Sequence, residues 1–455
     1  MMIQNFTKDQ FGVRLNEVVS PSHPVRSIEL LEGREREIEN ISRSLYAPGR
    51  HIFIYGDRGV GKSSLAATAA YQYQSPEAAP IFVSGSMTDT FVTIITNIVQ
   101  QALGRSKTES VKRTNSIGFE WKVKANKGSE ITSLDISSQI RSVGDAAELL
   151  KEIQDQHSKL PIVVLDEFDT IVDPAERAKF AALLKQLGDQ EINLKFIFTG
   201  IGTTLDELLG AHHSAFRQLD TVHLNRLDWN SRRAIVDRAA SRFGLSVDNN
   251  VNWRIAAVSD GFPYYIHLLM EKMLWEAFSD QDEIAILGWE HFHLGLRVAI
   301  ESINAELKRP YEMAVSHRPE EFEDIVWSTA DGEELFRSLD DLYQAYKAVL
   351  RKRLGRPELD RKKYSDIIRR LKGQAFGEIL TPLPNRTGWY TYKEKMLRGY
   401  VRMQAEANGI ELSGEREAPK QKMHIPGNAK TGFRGPSLPP GVRASNEIRK
   451  SEESD

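Results

Sequence analysis

The stretch YGDRGVGKSS, residues 55–64, constrains the fold of this chain more than any other part of its sequence. It matches the pattern G-x-x-x-x-G-K-[ST], which has meaning only when a strand precedes it and a helix follows it. The apolar run HIFI and the segment LAATAAYQY supply these flanks. Glycines let backbone N–H groups turn towards a phosphate, and a helix N-terminus adds partial positive charge. The pattern predicts a loop that binds nucleotide phosphates, formed by Gly56, Asp57, Arg58, Gly59, Val60, Gly61, Lys62, Ser63 and Ser64.

Two side chains of this loop have separate expected roles. Lys62 is expected to reach the β and γ phosphates, and the Ser63 hydroxyl is expected to hold Mg²⁺. The sequence thus predicts ATP and Mg²⁺ as cofactors. The alternative is a chance glycine-rich turn with an exposed lysine.

Strands and helices alternate through the first half of the chain, which predicts a parallel sheet with helices on both faces. Within an insertion at about residues 105–140, the stretches SIGFEWKVKANKG and EITSLDI alternate apolar and polar residues at a period of two, and this pattern predicts a hairpin. The predicted strands are 50–55, 79–85, 161–166, 194–200 and 221–224, and the predicted helices are 62–73, 90–103 and 178–189.

The composition narrows the class of protein. The chain has 455 residues and no cysteine, which excludes disulfides, zinc–thiolate sites, iron–sulfur clusters and thiol nucleophiles. Its apolar runs are too short to span a bilayer, and its first residues lack a basic start followed by an apolar stretch. We therefore expect a cytoplasmic protein of two or three domains.

A second polar cluster follows the apolar strand in LPIVVLDEFDTI. Asp166 is placed to bind Mg²⁺ directly or through water, and Glu167 could polarise the attacking water. Two adjacent carboxylates repel each other, so their presence favours a functional site. The alternative is an exposed acidic strand end. If Glu167 has this role, hydrolysis follows as well as binding.

A third set of residues follows the strand LKFIFTG. Thr203, with Thr199 as the second choice, could hold the attacking water or the γ phosphate. Arg217 precedes the strand TVHL, where its guanidinium could reach a phosphate in a neighbouring subunit, or else pair with Asp220 at the surface. We assign His212 and His213 to the surface, since neither has a partner at metal-ligand spacing.

The second half of the chain is predicted to be helical and then basic. Between Asp341 and Gln404 there are 16 Lys or Arg residues against 6 Asp or Glu. The order helix, helix, two-stranded turn, helix predicts a winged helix that binds double-stranded DNA. The alternative is a solvated face or a dock for an acidic protein, and Trp389 and Tyr390 are assigned to the core of the wing. The predicted DNA-contacting residues are Lys362, Lys363, Arg369, Arg370 and Arg386.

The segments GDRGVGKS, VVLDEFDTI, TGIGTTLDELL and SAFRQLDTVHL, in this order, resemble those of AAA+ ATPases of the origin-recognition initiator type over about residues 25–410. The resemblance implies an AAA+ core followed by a helical lid, with Pro24, Val25 and Arg34 on the adenine side. SDGFPYYIHLL departs from the initiator pattern, because no arginine follows the glycine. Its Gly-x-Pro, with Pro263 at the nucleotide, is similar instead to the signal-transducing STAND ATPases.

These expectations define the domains and two candidate functions. The first function is an ATP-hydrolysing homo-oligomer that couples nucleotide state to DNA binding, in a prokaryotic mobile element or defence system. The second is a signalling switch whose winged helix docks an effector protein. The expected domains are an N-terminal adenine-side segment, 1–50; the AAA+ core, 51–227; a lid with a linking helix, 228–307; the winged helix, 308–413; and a disordered tail, 414–455.

Overall fold

The computed structural model describes residues 3, 6–21, 24, 26–27, 29, 31–109, 136–202, 217–280, 282–353 and 355–412. Several predicted features lie outside the described residues. They are Val25, Thr203, His212, His213, residues 110–135 of the predicted hairpin and the tail.

A five-stranded parallel sheet forms the centre of the first half, as the alternation predicted. The strands pair in the order β2-β3-β4-β1-β5, and every pair is parallel. Because β4 lies between β1 and β3, the carboxyl ends of these three strands meet at one edge of the sheet. The strands are β1 (His51–Gly56), β2 (Ile81–Ser84), β3 (Ile162–Asp166), β4 (Lys195–Gly200) and β5 (Leu219–Leu224).

Helices cover both faces of this sheet. In β1, Ile52 and Ile54 are buried in one hydrophobic core, and Phe53 between them is buried in the other. This alternation is what a strand covered on both faces produces. The helices of this half are α1 (Lys8–Val18), α2 (Glu35–Tyr46), α3 (Lys62–Tyr73), α4 (Phe91–Glu109), α5 (Val143–His157) and α6 (Pro174–Asp189).

A helical bundle follows β5. The sequence predicted one linking helix at the end of this bundle, but the structure has two successive helices there, Trp289–Ser302 and Ala305–Val315. The bundle consists of α7 (Trp229–Ser241), α8 (Asn249–Val258), α9 (Pro263–Ser279) and α10 (Trp289–Ser302), with the short strands β6 (Ser246–Val247) and β7 (Ile286–Leu287), and α11 (Ala305–Val315) comes next.

The C-terminal module, residues 321–407, is a small mixed domain. Its three strands pair in the order β8-β10-β9, and both pairings are antiparallel. Its elements are α12 (Glu321–Ala330), β8 (Arg337–Ser338), α13 (Leu339–Lys352), α14 (Arg361–Arg370), β9 (Leu380–Pro382), β10 (Trp389–Tyr392) and α15 (Met396–Ala407).

A buried ion cluster joins α15 to the bundle and to the sheet domain. Asp260, which is fully buried, lies between α8 and α9. Its Oδ1 is 2.5 Å from Arg226 after β5, and 3.1 and 3.6 Å from Arg402 and Arg398 of α15. Burial alone would raise the pKa of Asp260, but the arginines outweigh burial and lower it. One carboxylate thus connects three parts of the chain.

Three details differ from the expected domain boundaries. The boundary expected at residue 307 falls inside α11, and α4 continues to Glu109, into the segment expected to form a hairpin. Residues 136–139 form a helical turn, within the insertion that was expected to form a hairpin. Among the described helices, none is both long and apolar enough to span a membrane.

Candidate nucleotide site

The loop between β1 and α3 has the backbone shape that phosphate binding requires. Gly59 and Gly61 have φ angles of 78° and 98°, in the region that favours glycine. A Cβ atom at Gly56 would collide with the carbonyl oxygen of Leu224. The three glycines are therefore required by the geometry of the loop, and Gly61 directly precedes the first residue of α3.

Lys62 folds back over the phosphate loop. Its Nζ donates to the carbonyl oxygens of Gly56 and Asp57, at 3.1 and 2.8 Å. Burial lowers the pKa of Lys62, and the carboxylates of Asp169, Asp166, Asp57 and Glu394 oppose that effect. The lysine is thus at the loop, in the place where an ammonium group can contact a bound phosphate.

Ser63 and Asp166 come together although 103 residues separate them. The Ser63 hydroxyl donates to Oδ1 of Asp166 at 3.0 Å. A hydroxyl and a carboxylate are the hard oxygen ligands that Mg²⁺ takes, with phosphate oxygens and waters completing the shell. Among the described residues, no group of three or more His, Asp or Glu side chains is arranged to hold a metal ion. The pair fits Mg²⁺ shared with a nucleotide.

Thr199, the second choice of the sequence analysis, occupies the centre of this edge. Its hydroxyl donates to Asp166 Oδ1 and accepts from the backbone N–H of Glu167 at 3.1 Å. This position follows from the sheet order, because Thr199 is the residue before last of β4, which lies between β1 and β3. Thr203 lies outside the described residues and stays a prediction.

Glu167 has an unusual backbone conformation. Its φ of 54° is in the left-handed region, which costs a non-glycine residue about 1–3 kcal/mol. Its carbonyl oxygen accepts from the Thr170 hydroxyl at 2.7 Å, and a Cβ atom at Gly85 would lie 2.8 Å from that oxygen. These contacts therefore hold the backbone conformation of Glu167. The residue lines a cavity beside the phosphate loop.

A cavity of about 750 Å³ extends from the phosphate loop to the N-terminal segment and the bundle. Of the predicted adenine-side residues, Pro24 and Arg34 line it, as does Pro263 at the start of α9. The Nη2 atom of Arg34 donates to Val60 O at 3.1 Å, which ties this segment to the loop. Apolar walls with a few polar groups suit a nucleobase. The apolar lining includes Pro21, Leu31, Leu227, Ile235 and Leu307.

Sequence reasoning missed several residues of this cavity. Asp169 accepts from the Ile201 N–H at 2.8 Å, and its signal was its place in LDEFD. His267 lies on α9 one turn after Pro263, and its buried Nδ1 has no hydrogen-bond partner among the residues that the structure describes. Burial lowers the pKa of His267 to about 4, so its imidazole is neutral at pH 7. Glu394 and Met396 come from the C-terminal module, and no local pattern marks them.

Arg217 lies at the opposite edge of the sheet from the phosphate loop. The carbonyl oxygen of the next residue, Gln218, accepts from the His51 N–H at the start of β1, whereas the loop follows the end of β1. A six-residue strand spans about 20 Å. Asp220, the alternative partner, pairs with Arg50 at 2.5 Å. The exposed Arg217 is therefore far from the nucleotide site of its own chain.

The five predicted DNA-contacting residues are all exposed. Tyr364 and Ile368 bury one face of α14, so its basic residues lie on the other face. Two of these cations form ion pairs beside the helix. Lys363 Nζ is 4.0 Å from Oδ2 of Asp360, and Arg369 Nη1 is 2.9 Å from Oδ1 of Asp366. Arg386 lies over the ring of Trp389, 5.0 Å from its centroid. These cations do not contact the nucleotide cavity.

The chain has a five-stranded parallel sheet, with a phosphate loop after β1, the fourth strand in spatial order, and carboxylates at the end of β3. These features define a P-loop nucleotide-binding domain. Residues 31–197 match the family model of the AAA ATPase domain. This part of the chain has the AAA+ P-loop fold, as the sequence analysis predicted. No curated protein matches the sequence.

Several solved structures align with this chain over most of its length. The Walker-type ATPase of Pyrococcus abyssi is 17% identical, with 84% of this chain and 99% of that chain covered and a TM-score of 0.49. The ORC2 protein of Aeropyrum pernix is 15% identical, with 86% and 98% covered and a TM-score of 0.47. The RuvB branch migration motor of Thermotoga maritima is 14% identical, with 85% and 98% covered and a TM-score of 0.40.

Proposed function

We propose that this protein binds ATP with Mg²⁺ and hydrolyses it. The observation that carries the proposal is the 3.0 Å contact between Ser63 of the phosphate loop and Asp166 of β3. It brings the two expected Mg²⁺ ligands to one point, beside Lys62 and Glu167 at the wall of one cavity. The match of residues 31–197 to the AAA ATPase domain supports the same reaction.

Each residue then has a role in the reaction. Lys62 neutralises charge on the β and γ phosphates, and Ser63 and Asp166 hold Mg²⁺, which supplies further charge neutralisation. Glu167 accepts a proton from the attacking water. Thr199 fixes Asp166 and the Glu167 backbone through its hydroxyl. Arg217 contacts the nucleotide of a neighbouring subunit in a homo-oligomer.

Lys62→Ala tests the nucleotide site. We expect ATP affinity to fall about 10- to 100-fold, because a charge-assisted contact to phosphate is lost. Titration calorimetry with ATP and Mg²⁺ measures it. Lys151→Ala, which removes an exposed lysine of α5, is the control and should bind ATP normally. Equal ATP affinity in the Lys62→Ala protein would refute the site.

We further propose that the C-terminal module is a winged helix that binds double-stranded DNA. The order α12, β8, α13, α14, β9, β10 and the sheet order β8-β10-β9 support a winged helix with α14 as its recognition helix. The exposed basic face of α14 supports contact with phosphates. Nucleotide state would then regulate assembly on the duplex.

Salt dependence tests DNA binding. If Lys362 and Arg370 each neutralise one phosphate, the variant carrying Lys362→Ala and Arg370→Ala should lose about 0.9 in the slope of log affinity against log salt per contact. Fluorescence anisotropy of a labelled duplex, at several salt concentrations, measures this slope. Arg43→Ala, on α2, is the control for a change in net charge. An unchanged slope would exclude these residues as phosphate contacts.

One observation favours the second function, a switch that docks an effector protein. Asp360 and Asp366 lie among the cations of α14 and pair with Lys363 and Arg369. Such acidic side chains repel a DNA backbone and suit a protein surface of mixed charge. If the rate of ATP hydrolysis is the same with and without duplex DNA, at low and at high salt, the result would favour this function.

A further inference from the structure

Three consecutive residues of the C-terminal module lie at the phosphate loop or in the wall of the cavity beside it. Lys395 Nζ is 2.6 Å from Oδ1 of Asp57. A Cβ atom at Gly59 would collide with Sδ of Met396, so this methionine packs directly on the loop backbone. Glu394 lines the nucleotide cavity. The C-terminal module therefore forms part of the wall around the proposed phosphate site.

The Glu394 carboxylate is held in this place. Its Oε1 accepts from the backbone N–H of Met396 at 3.1 Å, at the start of α15. The Met396 carbonyl oxygen accepts from the buried Tyr265 hydroxyl of α9 at 2.7 Å. Arg398 and Arg402, further along α15, bind the buried Asp260. Glu394 lies two residues before the start of α15, and these contacts fix that helix at several points.

Glu394 lines the same cavity as Lys62 and as the carboxylates of Asp166, Glu167 and Asp169. These three carboxylates belong to the P-loop domain itself, and Asp166 is a proposed Mg²⁺ ligand. Glu394 comes from the C-terminal module, and Met396, two residues later, packs on the backbone of the phosphate loop.

We propose that Glu394 is a specificity-determining residue that makes the site favour a nucleoside diphosphate over a triphosphate while the C-terminal module is docked. A triphosphate carries more negative charge than a diphosphate, and a nearby carboxylate repels the additional charge. This inference rests on the proposed binding of ATP and Mg²⁺. It adds that the C-terminal module sets which nucleotide is retained.

The test is the ratio of the dissociation constants for ATP and ADP, measured by titration calorimetry at fixed Mg²⁺. In the unaltered chain we expect ADP to bind more tightly. Glu394→Gln should shift the ratio towards ATP by about three- to tenfold, the size expected for one partly screened charge pair. Glu394→Asp keeps the charge and should keep the ratio. Glu378→Gln, whose carboxylate pairs with Lys393 in the same module, is the matched control and should leave the ratio unchanged.

The outcomes separate this inference from the proposed function. If the unaltered chain binds neither ATP nor ADP, the proposed function fails. If it binds both and Glu394→Gln leaves the ratio unchanged, only the role of Glu394 is refuted. If Glu394→Asp and Glu394→Gln shift the ratio equally, the effect comes from helix packing and the charge is not responsible, which also overturns the inference. Thermal unfolding confirms that each variant is folded.

Discussion

Protein carrying Glu167→Gln is expected to bind ATP as tightly as the unaltered chain and to hydrolyse it about 10²- to 10⁴-fold more slowly. Glutamine keeps the shape of the side chain but cannot accept the proton of the attacking water. Ser63, Asp166 and Lys62 remain in place, so affinity for ATP should remain. Single-turnover hydrolysis measures the rate, and calorimetry measures the affinity.

A matched control addresses the backbone of Glu167. Glu191 is exposed and has a φ of 53°, almost the same as the 54° of Glu167, but it lies away from the cavity. Glu191→Gln should therefore hydrolyse ATP at the normal rate. A normal rate in the Glu167→Gln protein would refute proton transfer to Glu167. If the Glu167→Gln protein lost affinity for ATP, the Glu167 carboxylate would be needed for ATP binding.

Arg217→Ala is expected to reduce the rate of hydrolysis by about 10³- to 10⁵-fold, the range measured for an arginine that stabilises the transition state from a neighbouring subunit. The position of Arg217, at the edge of the sheet away from its own phosphate loop, permits this role only between subunits. Steady-state hydrolysis at several protein concentrations measures the effect. Arg50→Ala, at the same edge, is the control because it removes the same charge.

Mixing two inactive proteins tests whether the site is shared. Subunits carrying Arg217→Ala retain the phosphate loop, and subunits carrying Lys62→Ala retain the arginine. A mixture should recover part of the activity, because a mixed interface can supply both groups. If Arg217→Ala hydrolyses ATP normally, Arg217 is a surface residue.

The sequence predicted the local structure of this site well. The pattern around Lys62 placed strand, loop and helix correctly, because glycine conformation and helix start are local properties. The contact between Thr199 and Asp166 depended on the order of strands. That order is a long-range property, and only the structure shows β4 between β1 and β3.

Two further differences also have physical causes. The apolar periodicity of residues 288–308 predicted one linking helix. Asn304 interrupts it as a helix cap, with its Oδ1 accepting from the Glu306 N–H at 2.9 Å. The presence of Glu394 in the same cavity as Lys62 could not be predicted, because more than 300 residues separate them and no sequence pattern links them.

The cluster around Asp260 limits which C-terminal modules can replace the one in this chain. Arg398 and Arg402 supply two of the three guanidinium groups within 4 Å of its carboxylate among the described residues. A hybrid whose last helix lacks both arginines would keep a carboxylate in the interior with most of its counter-charge removed, a change that costs about 3–5 kcal/mol. An exchange of C-terminal modules between relatives therefore yields a stable hybrid only when the incoming last helix brings both arginines with it.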